Sequence, residues 1–388
     1  MLLFAALALG EPFVSEPNIQ VDENRDSRVI TSQPYVAWER RLPETLLGAR
    51  SQSQLSEPTL EDGLLYVGSA FSHALHALES RTGSEIRSFP AHSSVQSEPI
   101  FENEYVIFCD KGGYTFNYSA TDAVPNWEHF GGAPITSQPK LIGGNVVVTS
   151  VDDSIYSLLS STGEVAWRYD HPPSLNRETE LTLYGAPSAV AWSDQIITGF
   201  SDGSIVALSA TTGAVEWQNE VGEGTYPDII ATPIVVDDNI YTGGFEGPFV
   251  ALMPQTNSIR WSLDIGTANE PTYDNQSIFH GGADGILRKI DTITGQIIWE
   301  WDANIEGSLT TPRITDAGIL TSSSEETIYL IDGSTGDEIW RFADDVTLSG
   351  FSSSISIGDS GFYAVTNKGK LISFETLQEQ SLNETQSF

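Results

Sequence analysis

Two strings in this chain carry the residue types of a serine hydrolase. Gly199-Phe200-Ser201-Asp202-Gly203 fits the G-x-S-x-G pattern, and Gly358-Asp359-Ser360-Gly361 has the Gly-Asp-Ser-Gly order found around another kind of nucleophilic serine. The chemistry would be acyl transfer, and it needs a strand–turn–helix elbow with a base beside the hydroxyl. The context does not supply one. Residues 199–203 occupy the same hairpin position as Gly281-Gly282-Ala283-Asp284-Gly285 in a later copy of a repeat, and Ser360 falls in the turn equivalent to Asp237-Asp238-Asn239. Both serines are therefore read as turn residues.

Metal chemistry is disfavoured on similar grounds. His73 and His76 would share a face on a helix, but on a strand an odd spacing sends them to opposite faces. Asp152-Asp153 and the Asp-Gly turns lack the dense alternation of oxygen ligands that a calcium loop needs. Cys109 is the only cysteine, so neither an intramolecular disulfide nor a multi-cysteine cluster is possible. Its neighbours Val106, Ile107 and Phe108 place it in a strand, as a small buried hydrophobe. No catalytic residue, metal ligand or cofactor site is expected.

The elements behind these residues are set by a repeat. Its strongest form is Ser-Thr-Gly-Glu-Val-Ala-Trp at 161–167, which returns as Thr-Thr-Gly-Ala-Val-Glu-Trp at 211–217, Ile-Thr-Gly-Gln-Ile-Ile-Trp at 293–299 and Ser-Thr-Gly-Asp-Glu-Ile-Trp at 334–340. Weaker copies end at Trp127 and Trp261, another puts Arg87 in the Trp position, and Trp38 stands in the Trp strand without the preceding turn. The anchors 38, 87, 127, 167, 217, 261, 299 and 340 are 38 to 50 residues apart. Pro58, Pro99, Pro139, Pro187, Pro233, Pro271 and Pro312 each open an apolar strand, a position where the missing N–H is tolerated.

One period reads as four short strands. In residues 231–265 they are Thr232 to Asp237, Ile240 to Phe245, Phe249 to Met253 and Ile259 to Asp264, joined by Asp-Asn and Gly-rich hairpins. Four antiparallel strands per period define a propeller blade. The last unit, Gly358 to Phe374, stops after three strands, and the strand around Trp38 is available to complete it. The expected fold is all-β: an eight-bladed propeller over residues 31–376, closed non-covalently by that N-terminal strand. Residues 1–30 are expected to be an export-signal remnant and lead-in, and 377–388 a polar tail. Trp38, Trp127, Trp167, Trp217, Trp261, Trp299 and Trp340 are assigned as blade anchors, each lying across the neighbouring blade to cover the Gly of its Thr-Gly turn.

Composition narrows the partners. Fifty-three acidic residues against 18 basic ones give a formal net charge of −35, which repels nucleic acid and anionic lipid; the charge is dispersed between the strands, reads first as a solvated acidic surface, and suits a salty environment or basic partners. The eight apolar residues Leu2 to Leu9 are too few to span a bilayer but fit the core of a secretion signal, which favours export.

The strings at 201–217 and 283–299 resemble the PQQ-type propeller repeat, over about residues 36 to 375. Quinoprotein dehydrogenases with this repeat hold their quinone with a vicinal disulfide and a calcium ion, and a single Cys departs from that pattern. Length, blade count and export signal are more similar to the BamB family, non-catalytic propellers of the outer-membrane barrel assembly machinery. Pro-Pro-Ser-Leu-Asn-Arg-Glu-Thr-Glu-Leu-Thr-Leu-Tyr-Gly-Ala-Pro at 172–187 is similar to that family's protruding loop. The resemblance implies a monomer within a complex in the periplasm, without a membrane span. Its loops would dock the POTRA domains of a BamA-like barrel insertase through Leu181, Leu183, Tyr184 and the carboxylate of Asp228. Tyr184 stands where the family has Arg, and no Cys follows the N-terminal apolar run to carry the family's lipid anchor. Leu181 and Leu183 read equally well as the start of the next inner strand. Two other functions fit the same fold: another exported PQQ-repeat scaffold that binds carbohydrate or an envelope protein, and a quinone-dependent dehydrogenase. The mouth of the central channel is a default pocket, with no convergent charged set expected at it.

Overall fold

The computed structural model describes residues 33–42, 56–173, 183–325, 327–343, 350–358 and 361–375. Ser360, Leu181, the lead-in and the tail lie outside these residues. The described chain forms eight four-stranded antiparallel sheets, arranged as an eight-bladed β-propeller. Blade 1 comprises Thr59–Glu61, Leu64–Ser69, Ala74–Glu79 and Glu85–Pro90, innermost to outermost. Blades 2 to 7 follow at residues 100–130, 140–170, 190–220, 234–263, 272–302 and 313–343. The four strands foreseen in residues 231–265 are present as Ile234–Val236, Asn239–Gly243, Phe249–Met253 and Ser258–Leu263.

Blade 8 joins the two ends of the chain. Ser356–Ile357, Gly361–Val365 and Lys370–Glu375 supply three strands, and Tyr35–Arg41 pairs with the last of them. The outer strand carries a bulge one residue before the Trp position. Trp167 pairs with Ser157 and Val165 with Leu158, leaving residue 166 unpaired; in the closing strand Trp38 pairs with Ser373 and Val36 with Phe374, leaving residue 37 unpaired. A bulge twists the strand and re-aims the side chain that follows it. The closing strand thus reproduces an outer strand in register and in irregularity.

The core lies between the blades. Each apolar cluster joins strands of one blade to those of the next, as Tyr66 and Leu75 of the second and third strands and Phe89 of the outer strand of blade 1 meet Val106, Phe108 and Phe116 of blade 2. Trp indoles fasten these layers at the rim. A Cβ on Gly83, Gly163, Gly213, Gly295 or Gly336 would sit 2.5–2.9 Å from the ring of Trp38, Trp127, Trp167, Trp261 or Trp299 respectively. Each indole also donates to the carbonyl three residues before that Gly: Trp38 to Ser80, Trp127 to Ser160, Trp167 to Ala210, Trp261 to Thr292 and Trp299 to Gly333. These glycines have φ of 66–81°, so the turn and the ring both demand Gly.

Two turns lack the Gly, and the Trp seat changes with it. Ala123 of blade 2 takes φ 54°, and there Arg87 replaces Trp, its guanidinium donating to the carbonyls of Ala120 and Thr121. Asn257 of blade 5 takes φ 48°, and Trp217 turns back to donate to Gln195 of its own blade at 3.0 Å. The sequence reading gave Trp217 the same seat as the others. The Asn257 side chain fills it instead, exchanging hydrogen bonds with Asn219 and the Gln218 carbonyl. Trp340 meets Phe362 and Phe374 of blade 8 edge-on.

Cys109 is fully buried, and burial pushes its thiol up to about 12, so it behaves as the small hydrophobe expected. Among the described residues there is no helix, and none long and apolar enough to cross a membrane.

Candidate functional site

In every blade the inner strand enters from one face of the ring, and the segment just before it faces the axis. Seven of these segments end in the landmark Pro. The residues ahead of it are Glu57, Glu98, Gln138, Ala186, Thr232, Glu270 and Thr311, and Ser352–Ser354 complete the circle in blade 8. They enclose an axial cavity of about 180 Å³. Lys140 and Arg313, each directly after its Pro, also line it.

The sequence reading expected no convergent charged set here, and the structure corrects it: three carboxylates and two cations from five blades meet at the axis. Arg313 donates to Glu57 and, at 3.1 Å, to the Ile355 carbonyl; Lys140 donates to Gln138 at 2.5 Å. Glu98 and Glu270 accept no hydrogen bond and form no ion pair among the described residues. Burial, then the nearby negative charge of Glu57, holds the Glu98 carboxyl well above its usual range. Burial raises Glu270 too, against the pull of Lys140 and Arg313. Ser353 is 4% exposed, and its hydroxyl has no partner.

The signal was present in the sequence as the residue before each landmark Pro. Each one reads as an ordinary polar loop residue until the ring closes. A pH dependence follows. Because folding raises the Glu98 pKa, the folded chain holds this proton more tightly than the unfolded chain, and the cost of ionising it appears as pH rises. Glu98→Gln is expected to raise the melting temperature at neutral pH by a few degrees. Calorimetry should find that gain fading as pH falls toward the unfolded carboxylate value of about 4.3.

The second site is the connection from blade 3 to blade 4, on the same face. Leu181 lies outside the described residues. Leu183 is half-buried, and its N–H donates to Asp228 Oδ1 at 2.8 Å. Tyr184 is 59% exposed, with the Lys111 ammonium 4.7 Å from its ring centroid. Two residues on, Ala186 lines the axial cavity, so the loop ends at the cavity mouth. Asp228 differs from the expectation of a rim carboxylate facing a basic partner. It is 1% exposed and turned inward, where it positions Leu183. Sequence alone cannot tell an inward carboxylate from an outward one in a loop.

The hydrolase string does not form a catalytic set. Ser201 donates to Asp153 at 2.5 Å, while both ring nitrogens of His171 are engaged, with Asp202 at 2.9 Å and Tyr169 at 3.1 Å. A nucleophile needs its base within hydrogen-bond reach, and here the imidazole faces elsewhere. His73 is exposed in a turn, whereas His76 is buried against Ser72 and Glu85. Among the described residues, no three His, Cys, Asp or Glu side chains are placed to hold a metal ion.

Fold and repeat together define the class: the chain is a PQQ-like eight-bladed β-propeller. More particularly, residues 127–301 match the family described as outer membrane protein assembly factor BamB. BamB of Legionella pneumophila (strain Paris) is 21% identical over 198 residues, covering 49% of this chain and 51% of that protein. The chain spans about half the length of the curated relatives it matches. The crystal structure of BamB from Moraxella catarrhalis superposes with a TM-score of 0.74 at 17% identity, over 88% of this chain and 100% of that one. A quinohemoprotein alcohol dehydrogenase from Pseudomonas putida HK5 shares the fold with a TM-score of 0.68 at 13% identity, covering 89% and 76%. At the axial cavity Glu57 is bound to Arg313, and among the described residues no three His, Cys, Asp or Glu side chains are grouped there as metal ligands, a lining unlike a calcium held by several carboxylates.

Proposed function

We propose that this chain is a non-catalytic periplasmic scaffold for outer-membrane protein assembly, docking the POTRA domains of a barrel insertase through the loop that ends at Tyr184. The observation that carries this reading is the way Leu183 and Tyr184 are held. A buried carboxylate, Asp228, grips the Leu183 backbone and leaves the large amphipathic ring of Tyr184 exposed beside Lys111. Aromatic residues beside a held backbone are favoured interface anchors, because less ordering is left to do on binding. The similarity to assembly factors supports the partner, and the net charge of −35 favours a basic surface on it. Among the proposed contacts, Leu181, Leu183 and Tyr184 touch the partner, while Asp228 acts through Leu183.

The test is calorimetric titration with the POTRA domains encoded in the same genome. Micromolar or tighter binding is expected, weakened about tenfold or more by Tyr184→Asp, a loss of about 1.4 kcal/mol. Asp228→Asn should weaken it less, since an amide oxygen can still accept from Leu183. Absence of binding at moderate salt, with the propeller folded, overturns the proposed partner.

A further inference from the structure

We propose that the rings of His92, Tyr114 and Phe130 in blade 2 form a seat for a cationic side chain of the docked partner, with Glu128 as its counter-charge. Such a seat rests on the docking reading and extends that surface from Tyr184 across blade 2.

The rings lie on the face that bears Tyr184. His92 precedes the inner strand of blade 2, as the loop ending at Tyr184 precedes that of blade 4, and Phe130 ends the outer strand on the same side. The ring centroids of His92 and Tyr114 are 4.3 Å apart, and those of Tyr114 and Phe130 are 4.8 Å apart. Phe130 is 57% exposed. Lys111, in the turn that leads into the Tyr114 strand, carries the surface on to the Tyr184 ring. The rings are held from below. Tyr114 stacks on Phe116 at 5.9 Å, and Phe116 stacks on the fully buried Phe108 at 5.1 Å. A buried carboxylate pins the backbone as well: Asp110 accepts from the N–H groups of His92 and Tyr114, each at 3.0 Å. A partner therefore meets rings already in place, and less ordering is left to oppose binding.

Charge selects the occupant. Glu128 stands two residues before Phe130, on the same side of the outer strand, and bonds to His92 at 3.1 Å. Among the described residues it pairs with no Lys or Arg: Lys111 lies over Tyr184, and Arg168 of blade 3 is bonded to Asp170 and to the Gly131 carbonyl. Ring faces attract cations. An apolar or anionic occupant would instead bury Glu128 without a counter-charge, which is costly. A guanidinium meets both demands, stacking flat on a ring while donating to the carboxylate. The chain places its own cations on rings in this way, Lys111 on Tyr184 and Arg168 on Tyr156.

The test is titration of the full chain with the POTRA domains encoded in the same genome, using Phe130→Ser, Phe130→Leu and Glu128→Gln beside Tyr184→Asp. Both side chains are exposed, so the variants should fold, and an unchanged melting temperature checks this. Phe130→Ser is expected to weaken binding about tenfold, and Phe130→Leu about fivefold, since leucine keeps an apolar contact but lacks the ring face. Glu128→Gln should weaken it about fivefold at about 0.1 M salt and little at about 1 M, where exposed charges are screened. If Tyr184→Asp weakens binding and Phe130→Ser does not, the seat is overturned and the docking loop stands. Full affinity in both Phe130→Leu and Glu128→Gln overturns the cationic occupant. No binding by the unaltered chain overturns the docking reading and the seat with it.

Discussion

A chain that lacks residues 1–42 should lose its cooperative unfolding transition and self-associate. Tyr35–Arg41 is the outer strand of blade 8, and the ring has no covalent closure at that blade. Its removal deletes the ladder to Lys370–Glu375, the Leu42 N–H bond to Gly369 at 2.8 Å, the Tyr35 hydroxyl bond to Glu375 at 2.9 Å and the Glu39–Lys370 pair. It also uncovers Gly83 of blade 1, where Trp38 sits, and opens the apolar layer that joins Leu65, Val67 and Leu78 to Val365 and Leu371. The unpaired edge of Lys370–Glu375 then becomes a template for another chain. Light scattering and calorimetry read the effect, and a peptide of residues 31–43 added in trans should partly restore the monomer. An unchanged melting temperature would mean that the ring is closed by something other than this strand.

The second large effect lies at the Trp–Gly seats. Trp127→Ala is expected to cost about 3–5 kcal/mol, the usual price of truncating a buried Trp. Gly163→Ala should also be severe, because its Cβ would lie 2.6 Å from Trp127 Cε3 and the backbone there has φ 72°. The two losses share one contact, so the double variant should be less destabilised than their sum. Trp217→Ala is expected to be milder, since that indole is half-buried and bonded within its own blade. Denaturant midpoints measured side by side settle the order; equal losses at Trp127 and Trp217 would remove the seat as the source of stability.

Much of this architecture is legible in the chain itself. The Thr-Gly turn, the following Trp and the preceding Pro recur as residue types, so the strands, the blade count and the completion of blade 8 by the Trp38 strand follow from local pattern. The rest depends on what closure brings together. Trp217 and Asn257 sit 40 residues apart, and only their contact across blades explains why one indole turns away. Glu57, Glu98 and Glu270 come from three blades and converge through the symmetry of the ring. Asp228 points inward onto the Leu183 N–H, a direction that spacing does not encode.

The central claim, that the face bearing Tyr184 docks an assembly partner, is tested most directly inside cells. A photoreactive phenylalanine analogue would replace Tyr184 in one strain and Ile293 in another. Ile293 is equally exposed at 59% but lies in a turn on the opposite face of the ring. Irradiation is predicted to yield a cross-link to the barrel insertase from position 184 and none from position 293. Cross-links to the insertase from 293 alone, or from neither position, would contradict the account.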